Sequence, residues 1–122
     1  MIEITSLHPL FAAEVLGLDL GRALDSETLR LIEDAFARYS VLVFRDQDVT
    51  DEQQIAFSEH FGSLERTKVG TPGAGSPLVV LTNIGADGSI TSPTDKQILN
   101  NKANQHWHAD SSFKPVPAKA SM

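Results

Sequence analysis

The stretch that most constrains the fold is residues 104–113, which read Asn-Gln-His-Trp-His-Ala-Asp-Ser-Ser-Phe. Residues 104–110 are predicted to form a strand, in which alternate side chains share a face. We therefore expect one face to carry Asn104, His106, His108 and Asp110, and the other to carry Gln105, Trp107 and Ala109. Such nitrogen and oxygen donors suit Fe(II), Zn(II) or Mn(II), and two histidines with one carboxylate are typical of non-haem iron sites. His-x-Asp alone is a weak motif, so a strand with a solvated polar face and an inward Trp107 is the alternative.

The segments before this stretch predict strands and helices in mixed order. Apolar and polar residues alternate at 2–5, and extended segments are predicted at 13–20, 41–44 (buried on both faces) and 78–84. One helix is predicted after the capping residue Ser26, with apolar positions at 29, 32 and 36. A second begins at the capping box of Thr50 and Gln53 and ends near Gly62. We expect a turn at 86–88 and irregular structure at 92–102.

The composition excludes several classes of function. The 122 residues carry 16 acidic and 10 basic side chains, a formal charge of −6 and a pI near 5.0. This balance argues against a nucleic-acid surface and against a polybasic membrane patch. There is no cysteine for a disulfide, a thiolate metal site or a nucleophile. With no apolar run of about 20 residues and no signal-peptide pattern, we expect a soluble cytoplasmic protein.

Three segments together resemble one enzyme family. Residues 104–113 resemble the iron-binding segment of the taurine / 2,4-dichlorophenoxyacetate dioxygenases. Residues 41–47, Val-Leu-Val-Phe-Arg-Asp-Gln, resemble the family's buried strand, and residues 61–65, Phe-Gly-Ser-Leu-Glu, its helix-ending segment. They occur in the family's order, and Trp-His-x-Asp followed by Ser-Ser-Phe looks more like the phenoxyacetate branch than the taurine branch.

The resemblance implies an α+β or mainly β fold, a double-stranded β-helix (jelly roll) with flanking helices. Residues 1–122 would be the N-terminal portion of a single dioxygenase domain. The remaining core strands, the second iron histidine and the arginine that binds 2-oxoglutarate are expected beyond Met122, so we expect this chain alone to be inactive. The implied cofactors are Fe(II) and 2-oxoglutarate, and the implied partners are dioxygen and a small acidic substrate. That substrate is aryloxyalkanoate-like or a taurine-like sulfonate, and homo-oligomerisation of the full-length protein stays open.

The resemblance also assigns individual residues. His108 and Asp110 match two of the three iron ligands. Asn104 matches a substrate-contacting asparagine, and Ser111 a position whose backbone lies beside the substrate. Lys68 lies where the family contributes a polar residue to the acidic substrate, and a cationic head suits a carboxylate or sulfonate. A solvated surface lysine is the alternative for Lys68, because lysines are seldom buried.

Two other interpretations are compatible with parts of the sequence. His-Trp-His-Ala-Asp also resembles the metal segment of metallo-β-lactamase-like zinc hydrolases, in which His106 would be a ligand. That family needs a histidine after the aspartate, where this sequence has Ser111, so lining the pocket entrance is the preferred role for His106. The second interpretation is a non-catalytic binding module that retains the family's N-terminal architecture.

Overall fold

The computed structural model describes residues 2–66, 75–103, 105–112 and 114–122. The chain divides into two compact units, Met1–Gly62 and Ser63–Met122. In chain order the elements are β1 (Glu3–Ser6), β2 (Ala13–Leu16), α1 (Ser26–Tyr39), β3 (Leu42–Val43), α2 (Asp51–Glu59) and α3 (Lys96–Ala103).

The first unit contains a mixed three-stranded sheet in the order β1-β2-β3. Strands β1 and β2 are antiparallel, with Glu3 opposite Leu16, which confirms the strand predicted from the alternation at 2–5. Strands β2 and β3 are parallel, and α1 makes the crossover that a parallel pair requires. The prediction that 41–44 is buried on both faces is wrong. Leu42 and Val43 form a half-buried edge strand, since no further described strand covers them.

Helix α1 begins one residue earlier than its predicted cap implied. Asp25 is the N-cap, and its carboxylate accepts a hydrogen bond from the Thr28 N–H at 2.7 Å. This bond satisfies one of the amides that the first turn of a helix leaves without a partner. At the other end Ser40 adopts φ 63° and donates its N–H to the Phe36 carbonyl, which terminates the helix.

Helix α2 confirms the predicted capping box. The Thr50 hydroxyl accepts from the Gln53 N–H at 3.3 Å, and the Gln53 side-chain oxygen accepts from the Thr50 N–H at 2.8 Å. The helix ends at Glu59 rather than at Gly62. Gly62 has φ 136°, a left-handed value that favours glycine, and it lies in the turn that leads the chain away.

The core of the first unit lies between the sheet and the two helices. Leu20, Ile32 and Phe57 are its buried centre, and Phe44 and Phe61 pack edge-on against the Phe57 ring at centroid distances of 5.7 and 5.4 Å. Other partly buried apolar side chains surround this centre: Ile2, Leu18, Leu24, Leu42 and Val49. Edge-to-face rings are a favourable aromatic geometry, so this cluster fixes how α2 packs.

One glutamine side chain joins the segments that follow β2 and β3. The Gln47 side-chain oxygen accepts from the Leu20 N–H at 2.9 Å, and its amide donates to the carbonyls of Leu18 at 3.1 Å and Arg45 at 2.9 Å. These backbone groups belong to no strand, so the Gln47 amide takes the place of a sheet neighbour for them.

The second unit has little regular structure in its described residues. The predicted strand at 78–84 is wrong, since only one bridge, between Ile84 and Ile90, forms there. The predicted turn is confirmed, with the Gly88 N–H donating to the Gly85 carbonyl at 2.9 Å. The irregular structure predicted for 92–102 is also wrong, because α3 covers most of it. Asp95 before the helix, a residue type common at N-caps, is the signal that the prediction missed.

The strand predicted at 104–110 is wrong for the described residues 105–110, which form bends and a turn. A strand needs a neighbour to bond its backbone, and no described segment pairs with this one. The mixed α+β character is confirmed, whereas the double-stranded β-helix stays a prediction. Within the described ranges, none of the helices has the length and apolar character to span a bilayer.

Candidate functional site

The candidate ligand segment follows α3 directly. The Gln105 N–H donates to the Lys102 carbonyl at 3.1 Å, which ties the start of this segment to the last turn of α3. The backbone then bends, so the side chains of 105–110 do not alternate as in a strand. Trp107 is fully exposed, and the interpretation in which it packs inward is therefore wrong.

His108 and Asp110 lie side by side. The His108 Nε2 is 3.2 Å from the Asp110 Oδ1, and the side chains are 45% and 57% exposed. The His108 Nδ1 is 2.9 Å from the His106 carbonyl oxygen. Because a carbonyl can only accept, Nδ1 must carry the hydrogen, and Nε2 is the nitrogen aimed at the carboxylate.

The contacts around His108 and Asp110 favour the charged form of each side chain. The His106 carbonyl raises the pKa of the His108 imidazole above 6.5, and the nearby Asp110 charge adds to this effect. The pKa of Asp110 is lowered below 3.8, first by the Ser121 hydroxyl and then by the His108 charge. The Ser121 Oγ donates to the Asp110 Oδ2 at 2.6 Å. One carboxylate oxygen is therefore bound to serine and the other faces the imidazole.

The donor atoms of this pair fit one shared cation. Ligand nitrogen and oxygen atoms lie about 2.0–2.2 Å from a divalent metal, so two neighbouring ligands at right angles are about 3 Å apart. The observed 3.2 Å between Nε2 and Oδ1 is close to that separation. A cation would replace the proton that the two atoms share, because metal ligands must be deprotonated. Within the described parts of the chain, no group of three or more His, Cys, Asp and Glu residues could hold a metal.

A second cluster lies immediately after the pair. The Ser111 Oγ donates to the Glu65 Oε2 at 2.7 Å, and the Lys114 Nζ lies 2.7 Å from the same oxygen. These two hydrogen bonds lower the pKa of the Glu65 carboxyl below 4.5. The bond from Lys114 has the larger effect and the bond from Ser111 the smaller. Ser111 has φ 54°, in the left-handed region, and its carbonyl accepts from the Lys114 N–H at 2.9 Å.

The structure brings together only some of the residues singled out from the sequence. His108, Asp110 and Ser111 are adjacent, while Lys68 and Asn104 lie outside the described residues. The imidazole of His106 is exposed, and its carbonyl, not its ring, contacts the pair. Sequence reasoning missed two residues: Glu65, 46 positions before Ser111, and Ser121, 11 positions after Asp110. The Phe-Gly-Ser-Leu-Glu segment contained Glu65, but nothing in its spacing indicated a contact with residue 111.

The sequence model of the family described as "Taurine catabolism dioxygenase TauD, TfdA family" matches residues 3–122. The chain belongs to this family. The match spans both units, so the TauD/TfdA assignment covers the His108–Asp110 pair as well as the sheet.

Individual relatives agree with the assignment. The chain is 41% identical over 121 residues to the α-ketoglutarate-dependent 2,4-dichlorophenoxyacetate dioxygenase of Cupriavidus pinatubonensis, covering 95% of this chain and 42% of that protein. It is 37% identical over 122 residues to the (S)-phenoxypropionate/α-ketoglutarate dioxygenase of Sphingobium herbicidovorans, covering 98% of this chain and 39% of that protein.

A solved structure matches the fold. The crystal structure of AAD-2 in complex with Mn(II) and N-oxalylglycine has a TM-score of 0.83 and 42% sequence identity, covering 98% of this chain and 40% of that one. The chain therefore spans about two-fifths of the length of the relatives that it matches.

Proposed function

We propose that this chain is the N-terminal portion of a dioxygenase domain that uses Fe(II), 2-oxoglutarate and dioxygen to hydroxylate a small acidic substrate. The observation that carries the proposal is the 3.2 Å approach of the His108 Nε2 to the Asp110 Oδ1, inside a segment that matches the TauD/TfdA family. The domain would be a double-stranded β-helix, with its remaining strands supplied by further sequence. Family membership favours this function over the zinc-hydrolase alternative.

His108 and Asp110 would hold the metal, which with 2-oxoglutarate and dioxygen supplies the oxidising chemistry. The His106 carbonyl would keep the hydrogen on Nδ1 of His108 and so present Nε2 to the metal. The Ser121 hydroxyl would fix the rotation of the Asp110 carboxylate by binding Oδ2. Together these bonds set both donor atoms before a metal arrives, which reduces the entropy cost of binding.

The substrate proposal favours an aryloxyalkanoate over a taurine-like sulfonate. Relatives at 41% and 37% identity are dioxygenases of 2,4-dichlorophenoxyacetate and of (S)-phenoxypropionate. Asn104 and Lys68 are proposed to contact the acidic substrate, and Ser111 to lie beside it through its backbone. The Ser111 hydroxyl is bound to Glu65, which is consistent with a backbone role rather than a hydroxyl role.

Metal binding by a protein of the relatives' length that contains this chain tests the ligand assignment, because the third iron ligand is expected beyond Met122. Mn(II) would be titrated into the protein, and free Mn(II) would be followed by its electron paramagnetic resonance signal. His108→Ala and Asp110→Ala should each weaken binding at least about tenfold, as removing a metal ligand or its support does. His60→Ala, a histidine at the end of α2 in the other unit, is the matched control. Binding that survives both site substitutions would refute the assignment.

The reaction itself is tested on a protein of the relatives' length that contains this chain. Hydroxylation beside the ether oxygen of an aryloxyalkanoate gives a hemiacetal that breaks down to a phenol, whereas hydroxylation of a taurine-like sulfonate releases sulfite. Phenol release with 2-oxoglutarate consumption supports the favoured substrate class. Sulfite release supports the alternative. The absence of both products with both substrates would contradict the proposed activity.

A further inference from the structure

Asp110 lies in backbone that no sheet supports. Residues 105–110 form bends and a turn, so strand pairing does not hold the carboxylate in place. Ser121 binds the carboxylate itself, but that bond does not fix the main chain that carries it. A metal ligand has to be held to within about half an ångström, so a further support for this backbone is needed.

The residue after the candidate ligand has a disfavoured conformation. Ser111 has φ 54°, a left-handed value that residues with a Cβ adopt rarely and that persists only where surrounding contacts impose it. Its carbonyl accepts from the Lys114 N–H at 2.9 Å, so this hydrogen bond closes a turn between Ser111 and Lys114. The direction in which the Asp110 side chain projects depends on this turn, because a peptide bond joins Asp110 to Ser111.

One carboxylate oxygen binds both ends of the turn. The Glu65 Oε2 accepts the Ser111 hydroxyl at 2.7 Å and lies 2.7 Å from the Lys114 ammonium. Both bonds are charge-assisted, the stronger class of hydrogen bond. Glu65 lies 46 positions before Ser111, so the contact ties a distant segment to the ligand turn rather than stabilising a local one.

We propose that Glu65 is a positioning residue for the metal site: it holds Ser111 and Lys114, the two ends of the turn, and thereby directs the Asp110 carboxylate at His108. The proposal rests on the proposed function, in which His108 and Asp110 bind the metal. The competing interpretation is an ordinary exposed ion pair between Glu65 and Lys114, which contributes little. The two differ in what happens at residues 110–112 when the Glu65 acceptor is removed.

The test uses a protein of the relatives' length that contains this chain, with two readouts, one of which needs no metal. The first is the backbone mobility of Ser111 and Ser112, measured by the steady-state ¹⁵N–¹H nuclear Overhauser effect without metal. The second is Mn(II) affinity, measured by electron paramagnetic resonance. The variants are Glu65→Ala and Glu65→Gln, which remove the same charge, although only glutamine keeps an oxygen that can accept from Ser111. Glu59→Gln, in the other unit, controls for the loss of one negative charge.

We expect Glu65→Ala to make residues 111 and 112 mobile and to weaken Mn(II) binding about tenfold, the low end for removing a residue that orients a metal ligand. Glu65→Gln should keep most of the backbone order at residues 111 and 112 and most of the Mn(II) affinity. Glu59→Gln should resemble the unaltered protein in both. Ser111→Ala should weaken Mn(II) binding as well, and adding it to Glu65→Ala should cost little more, because both changes remove the same bond.

Each adverse result has one meaning. Unchanged mobility in Glu65→Ala overturns the positioning role, whether or not the chain binds Mn(II). Increased mobility with unchanged Mn(II) affinity also overturns it, because the turn would then not direct the ligand. Equal losses of Mn(II) affinity in Glu65→Ala, Glu65→Gln and Glu59→Gln would overturn the positioning role, because the loss would then follow from the change in net charge alone. Failure of the unaltered protein of the relatives' length to bind Mn(II), with mobility responding as expected, contradicts the proposed function and leaves Glu65 as the residue that holds the turn.

Discussion

Replacing Ile32 with alanine is expected to remove a large part of the stability of the first unit. Ile32 is 0% exposed and lies at the centre of the core with Leu20 and Phe57. The change removes three carbons, which at about 0.8 kcal/mol each is about 2.4 kcal/mol of transfer free energy. The cavity left behind brings the usual cost to about 2–5 kcal/mol. At about 0.1 kcal/mol per residue, a unit of this size has about 6 kcal/mol in total.

The assay is urea unfolding followed by far-ultraviolet circular dichroism, to which α1 and α2 contribute most. Ile32→Val should cost about 1 kcal/mol and shift the midpoint measurably without changing the slope. Leu31→Ala is the matched control, because Leu31 precedes Ile32 on the same helix but is exposed. Its cost should be clearly smaller than that of Ile32→Ala, because Leu31 is 37% exposed and Ile32 is 0% exposed. Equal midpoint shifts for Ile32→Ala and Leu31→Ala would refute the placement of the core on this face of α1.

Three further predictions concern the contacts that organise the first unit. Thr50→Ala should destabilise it by about 1 kcal/mol in urea unfolding, because α2 loses its N-cap acceptor, whereas Thr50→Ser should keep it. Gln47→Ala should cost about 1–3 kcal/mol in the same assay, because the part-buried Leu20 N–H loses its partner. The Thr28 N–H lowers the pKa of Asp25 below 3.8. The contribution of Asp25 to the free energy of unfolding should therefore be complete above its unfolded pKa of 3.8 and fall as the pH decreases through its lower folded pKa. This pH dependence should be absent in Asp25→Asn.

Each of these predictions has a contrary result. Equal midpoints for Thr50→Ala and Thr50→Ser would show that the hydroxyl does not cap α2. A neutral Gln47→Ala would mean that water replaces the side-chain amide at Leu20. An Asp25→Asn variant that keeps the full acid dependence would place its origin in other carboxylates.

Local interactions explain which elements could be predicted. The capping box needs only Thr50 and Gln53, three positions apart, so the start of α2 follows from the sequence alone. The apolar spacing at 29, 32 and 36 likewise predicts α1, because one helical face has to be buried. The start of α1 was misplaced by one residue because Asp25 and Ser26 are both good caps and only the bond to Thr28 decides between them.

Strands were predicted less well because they depend on partners far away in the sequence. Residues 78–84 have the composition of a strand, but within the described residues only Ile84 pairs, so most of the segment stays irregular. The same reason accounts for 105–110. The pairing of His108 with Asp110 could be predicted because the residues are two positions apart. The contact of Glu65 with Ser111 could not be, since sequence spacing carries no signal across 46 positions.

The full exposure of Trp107 gives the candidate site its own optical reporter. Large aromatic side chains are usually at least partly covered, and Trp107 lies between His106 and His108 with its ring in water. It is the one tryptophan in the 122 residues, so indole fluorescence from this chain comes from a single loop. A paramagnetic ion at His108 would quench that emission, and an aromatic ligand that covers the ring would shift it. Binding can therefore be titrated without a label.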